Sequence, residues 1–267
     1  MAVIGVGEIE LDYERSGSGP PLLAIMGMSG TALSWGEPFL EVLRRDHEVI
    51  VYDHRGIGAS TPLAGSVTIA GMAEDAAGLL AALEIESADV LGISMGGMIA
   101  QELALKHPGH VRTLTLGCTY CGGEGSALSS PEVIQRLTEA MMSGDRERAL
   151  RVGWEVNVSP EYAADGEAWS YFLELANRRA VAVPVVMAQM QACMAHDTHD
   201  RLPGLAAPTL VIHGTEDQML PVANGRLIAE LIPDSKLEIM DGVGHLFFWE
   251  RAEQTAELIR SHASVAA

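Results

Sequence analysis

Short runs of β-branched and aliphatic residues recur along the chain, separated by longer stretches whose apolar positions follow helical spacing. Pro21–Met26, His47–Tyr52, Ala88–Ile93, Val111–Leu116, Pro208–His213 and Lys236–Met240 read as strands. Ala70–Leu83, Met95–His107 and Pro221–Leu231 read as helices; the second stops at the His107-Pro108 step and the third ahead of Pro233, since proline drives the residue before it out of helical conformation. Buried strands alternating with helices predict an α/β protein with a mostly parallel central sheet covered on both faces. From Thr119 to Pro203 the strand pattern stops, and helical spacing takes over in Val133, Leu137, Ala140 and Met141, then in Met187, Met190 and Met194. This stretch begins in the Gly/Ser-rich segment Cys121–Ser130 and ends at Arg201-Leu202-Pro203-Gly204. It reads as a helical cap, residues 119–203, inserted into a core made of residues 1–118 and 204–267.

Composition narrows the function. The chain has 267 residues, 48% of them hydrophobic, enough for one sizeable core. Its 36 acidic residues against 17 basic ones, a net charge of −19, argue against nucleic acid as a partner, because affinity for phosphates rests on Lys and Arg. No apolar stretch reaches the roughly 20 residues that span a bilayer, so no membrane partner is expected. The start, Met1-Ala2-Val3-Ile4-Gly5, lacks a basic flank and a cleavage signature, so the expected location is the cytoplasm. Cys118, Cys121 and Cys193 cannot all pair within one chain, and reduced thiols fit that location. Either a monomer or a homodimer is compatible with this reading.

The chemistry begins at Gly92-Ile93-Ser94-Met95-Gly96, placed between a predicted strand and a predicted helix. A sharp strand-to-helix turn needs small residues two positions either side of the serine, and it lifts the hydroxyl above the carboxyl edge of the sheet. Ser94 could instead serve only as the N-cap of the following helix. A serine nucleophile needs a base and a carboxylate to orient that base. His245, in the loop Asp241-Gly242-Val243-Gly244-His245 after a predicted strand, is the candidate base. His54 is its main competitor; His213 closes a buried strand, His107 and His110 flank a helix end, and His262 falls in a tail expected to fray. Asp217, in His213-Gly214-Thr215-Glu216-Asp217, is the candidate acid, with Glu216 beside it as a rival.

These motifs, together with Asp53-His54-Arg55-Gly56-Ile57-Gly58-Ala59-Ser60 and Gly244-His245-Leu246-Phe247-Phe248-Trp249-Glu250, resemble the α/β-hydrolase superfamily over nearly the whole chain. Within it they are similar to the small capped carboxylesterases, enol-lactonases and cofactor-free haloperoxidases or perhydrolases. The resemblance implies Ser94, Asp217 and His245 as catalytic residues and residues 119–203 as the lid. It also implies backbone N–H groups of Met28 and Met95 as the oxyanion hole. The family's usual His-Gly is replaced here by Met26-Gly27, which puts the side-chain support of that loop in question, not its donors. The Asp53–Ser60 loop is implied to be structural, with Arg55 tying neighbouring loops together.

The expected substrate is a small, fairly apolar carboxylic ester, with enol-lactone hydrolysis, perhydrolysis or a non-catalytic ligand-binding role as alternatives. A serine at the elbow argues against dehalogenase and epoxide hydrolase chemistry, which the superfamily runs on aspartate. The pocket is expected to involve Met26, Gly27, Met141, Trp154, Met187, Met190 and Leu246. No cofactor or metal is expected; Cys118 and Cys121 with His196 and His199 have only superficially zinc-like spacing. A lactone carboxylate would want a cation, and the cap offers Arg136, Arg146, Arg148, Arg151, Arg178 and Arg179.

Overall fold

The structure, a computed structural model, describes residues 1–264; residues 265–267, the end of the span assigned to the core, lie outside the described residues. The chain runs β1 (Ala2–Val6), β2 (Ile9–Gly17), β3 (Pro21–Ile25), α1 (Glu37–Leu43), β4 (Glu48–Tyr52), α2 (Ile69–Ala82), β5 (Ala88–Ile93), α3 (Met95–Lys106) and β6 (Val111–Gly117). An all-helical insertion follows: α4 (Pro131–Met142), α5 (Arg146–Asn157), α6 (Pro160–Ala163), α7 (Gly166–Arg178) and α8 (Val183–Met194). It returns to β7 (Thr209–Gly214), α9 (Ala223–Leu231), β8 (Lys236–Met240), α10 (Phe247–Glu250) and α11 (Ala252–Ala263).

The strands form one eight-stranded sheet in the order β1-β2-β4-β3-β5-β6-β7-β8, antiparallel only where β2 meets β1 and β4. Alternate residues of the inner strands feed opposite cores. Leu23, Ile25, Ile50, Val90 and Val211 pack towards α2, α3 and α9, whereas Leu22, Ala24, Val49, Leu91 and Ile212 pack towards α1, α10 and α11. Burial on both faces explains why β5 and β7 read as mostly apolar runs, buried at every position.

The hydrophobic pattern does not announce β1 and β2. The first is mostly exposed, and Ile9-Glu10-Leu11-Asp12-Tyr13-Glu14-Arg15 alternates charge with apolar residues as an edge ribbon does. His262 also departs from expectation: it lies on α11, 3% exposed, with Nε2 donating to the Pro208 carbonyl at 3.0 Å. This bond ties α11 back to the core at His262.

In the insertion, Ser130, Asp145, Ser159 and Asp165 each cap a helix by accepting a first-turn N–H. Trp154, Tyr162, Trp169 and Phe172 cluster there and meet Trp249 of α10. Among the described residues, no helix is long and apolar enough to cross a membrane.

Candidate active site

Ser94 is the single residue between β5 and α3, with φ 54° and ψ −124°. Side chains rarely tolerate that region, so the turn holds strain that the surrounding packing must enforce. The flanking glycines are required by contact: a Cβ on Gly92 would lie 2.3 Å from the Gly96 carbonyl oxygen, and one on Gly96 would lie 2.0 Å from that of Ile25. Ser94 occupies the N-cap position of α3 but makes no side-chain cap bond, so its hydroxyl is not spent on capping. It faces a cavity of about 390 Å³ between the sheet edge and the insertion.

Asp217 follows β7 and its side chain is fully buried. Its Oδ1 accepts the Met219 and Leu220 N–H groups, each at 2.9 Å, and its Oδ2 accepts His245 Nδ1 at 2.7 Å. His213 Nε2 stands 3.2 Å from the same Oδ2 while donating to the Leu220 carbonyl at 2.8 Å. Burial alone would raise the Asp217 pKa, but His245 and His213 outweigh it and hold the carboxyl well below the usual carboxylate range. The neighbouring Glu216 side chain is exposed.

His245 faces the same cavity as Ser94. Among the described residues the two share no hydrogen bond, and such bonds are often long in free enzymes. The His245 loop is pinned on both sides: Glu250 accepts the Gly244 N–H at 2.8 Å and both the N–H and hydroxyl of Ser159, while Leu246 N–H donates to the Asn157 carbonyl at 2.8 Å.

The Met26–Ser29 loop lies opposite. Gly27 packs on the serine, since a Cβ there would sit 3.0 Å from Ser94 Cβ. Among the described residues, the Met28 and Met95 N–H groups have no protein acceptor, whereas the next amide, Ser29 N–H, donates to Gln189 Oε1 at 2.9 Å. His54, the rival base, is 3% exposed and its Nε2 donates to the Met26 carbonyl at 2.9 Å. Burial lowers its pKa and favours the neutral ring that makes this bond. The loop's side-chain support therefore comes from His54 and Gln189. Sequence reasoning missed Gln189; its only signal is that it is one of two amides, with Gln191, in the otherwise apolar run of α8.

Of the residues expected in the pocket, Met26, Gly27, Met141 and Leu246 line the cavity. Trp154, Met187 and Met190 do not, and the expectation is corrected for these. Trp154 is wholly buried in the aromatic cluster, while Met187 and Met190 are 41% and 40% exposed on the outer face of α8, which turns Val186 inward instead. A helical pattern marks a stripe but not which way it faces.

Arg55 clamps Asp75 of α2, and Arg179, at the end of α7, reaches Asp12 and Asp53. His196 pairs with Thr198 Oγ1 at 3.4 Å, and His199 with Asp200 at 2.8 Å. A different trio, Cys118, Asp217 and His245, brings possible ligand atoms within 4.8 Å of one another. Burial raises the Cys118 thiol pKa well above normal, which disfavours the thiolate a metal would need.

Comparison with known proteins identifies the fold and the family. The family model for the alpha/beta hydrolase fold matches residues 20–252. A protein of Azorhizobium caulinodans named for carbamate hydrolysis is 33% identical over 90% of both chains. The poly(3-hydroxyalkanoate) depolymerase of Ectopseudomonas oleovorans is 31% identical over 90% of this chain and 82% of its own. The crystal structure of the esterase RhEst1 from Rhodococcus sp. ECU1013 superposes with a TM-score of 0.84 at 25% identity, covering 99% of this chain and 98% of that one. The family model's match over most of the chain, together with relatives named as hydrolases, places the chain in the α/β-hydrolase family, as a hydrolase.

Proposed function

We propose that the protein hydrolyses small carboxylic esters through an acyl-enzyme, with Ser94 as nucleophile, His245 as general base and Asp217 orienting the base. One observation carries the reading: a strained serine with an uncommitted hydroxyl shares a cavity with a histidine whose far nitrogen is held by a buried carboxylate. In this mechanism His245 removes the Ser94 proton as the oxygen attacks the ester carbonyl. The oxyanion is received by the free Met28 and Met95 N–H groups, two donors fixed before the charge develops. His245 then protonates the departing alcohol and activates the water that releases the acid. The insertion acts as a lid whose apolar underside, including Met141 and Phe172, receives the substrate body.

A fluorophosphonate probe tests the proposal. Labelling at Ser94, lost in Ser94→Ala, is the expected result. Labelling at another residue, or none on folded wild-type protein, overturns the mechanism.

A further inference from the structure

The cavity beside Ser94 differs from the rest of the molecule in charge. Acids outnumber bases 36 to 17 along the chain, yet among the described residues no Asp or Glu lines this cavity, whereas Arg146 and Arg179 do. The two cations are not equivalent. Arg179 is neutralised by Asp12 and Asp53. Arg146, at the first turn of α5, bonds only neutral oxygens, Asn177 Oδ1 and the Ala176 carbonyl at 2.9 Å, and among the described residues no carboxylate pairs with it.

The remaining arginines of the insertion do not reach the cavity. Arg136 and Arg151 share Glu155, at 3.1 and 3.0 Å, and Arg151 also covers the Trp169 ring. Arg148 and Arg178 are exposed, as Arg146 is, but unlike Arg146 they do not line the cavity.

Resting on the serine-hydrolase reading above, we infer that the substrate is an ester or lactone whose apolar body ends in a carboxylate, held by Arg146 away from the scissile bond. The guanidinium offers five N–H donors. Its two bonds to α7 orient the fork and leave donors for a bidentate carboxylate, so little side-chain freedom is lost on binding. Leu137, Met141 and Leu150 line the same cavity and supply apolar contact for the body. An acid in this wall would repel such a substrate, and none is there.

The experiment measures kcat/KM for nitrophenyl hemi-esters of straight-chain dicarboxylic acids, for carboxyphenyl esters and for neutral esters of matched length. The wild-type protein should prefer a carboxylate-bearing series over its neutral match. In Arg146→Gln the ratio of charged to neutral kcat/KM should fall roughly tenfold or more, the scale of a lost charge-assisted bidentate contact. Arg146→Lys should restore part of it, and Arg148→Gln, on the same helix but outside the cavity, should leave the ratio where it was. A purely structural Arg146 would lower both rates together and keep the ratio, which overturns the inference. So does a wild-type protein that prefers the neutral ester in both series. Either result, obtained with Ser94 labelled and the neutral ester hydrolysed, leaves the serine-hydrolase reading intact; that reading fails only on the labelling outcome.

Discussion

Asp217 has both carboxylate oxygens committed: one to two backbone N–H groups, the other to His245 with His213 close by. Since a carboxylate can only accept, His245 Nδ1 must carry the proton and Nε2 is left basic on the cavity side. An amide at this position could present its NH2 to Nδ1 and reverse the tautomer. Asp217→Asn should therefore lower kcat on a nitrophenyl ester by about four powers of ten, while Glu216→Gln, altering an exposed side chain, should stay within about twofold, as surface changes generally do. Equal losses in both variants would reassign the acid. Ser94 was legible because a close backbone approach demands glycine in a recognisable pattern. Between Asp217 and Glu216 only the resemblance favoured Asp217, because adjacent carboxylates differ only in which way the loop turns them. His54 was a rival base by residue type, although the resemblance implied a structural loop; its bond to the Met26 carbonyl makes it a brace.

At the scale of elements, the inner strands and α2, α3 and α9 were readable because burial on both faces, or on one stripe, writes a period into the sequence. The β1–β2 ribbon and the inward face of α8 were not, because an edge strand and a two-sided helix carry mixed patterns. Helix α8 also has a role no pattern reveals: Gln189, 1% exposed, bonds the amide next to the expected Met28 donor. Gln189→Leu should release the proposed oxyanion loop and lower kcat by roughly tenfold with a smaller change in KM, as expected for an interaction that matters mainly in the transition state. Gln189→Glu keeps the acceptor and should retain most of kcat. If the leucine variant changes KM alone, the bond serves substrate binding and not the oxyanion loop.

For the molecule as a whole, buried histidines set the response to acid. Burial pushes the His196 pKa down from 6.5 to about 4, and it also lowers those of His47, His54 and His262. In the unfolded chain these rings take up protons near pH 6.5. Below that pH the unfolded state binds protons that the fold refuses, so stability held at neutral pH is lost as pH falls from about 6.5 towards 4. Unfolding free energies measured in urea across this window should show that slope, and His196→Gln should reduce it by up to one proton, about 1.4 kcal/mol per pH unit. An unchanged slope would mean that His196 is already protonated in the fold.

The pinning of the His245 loop bears on any attempt to transplant lids between enzymes of this architecture. Glu250 reads Ser159 and Gly244 with one carboxylate, and the Asn157 carbonyl holds Leu246. A foreign insertion joined at the β6 and β7 boundaries would bring a new shape for the substrate but would leave His245, the proposed base, without its moorings. A chimera that keeps Asn157, Val158 and Ser159 in place would let the cavity be exchanged while the chemistry stays anchored.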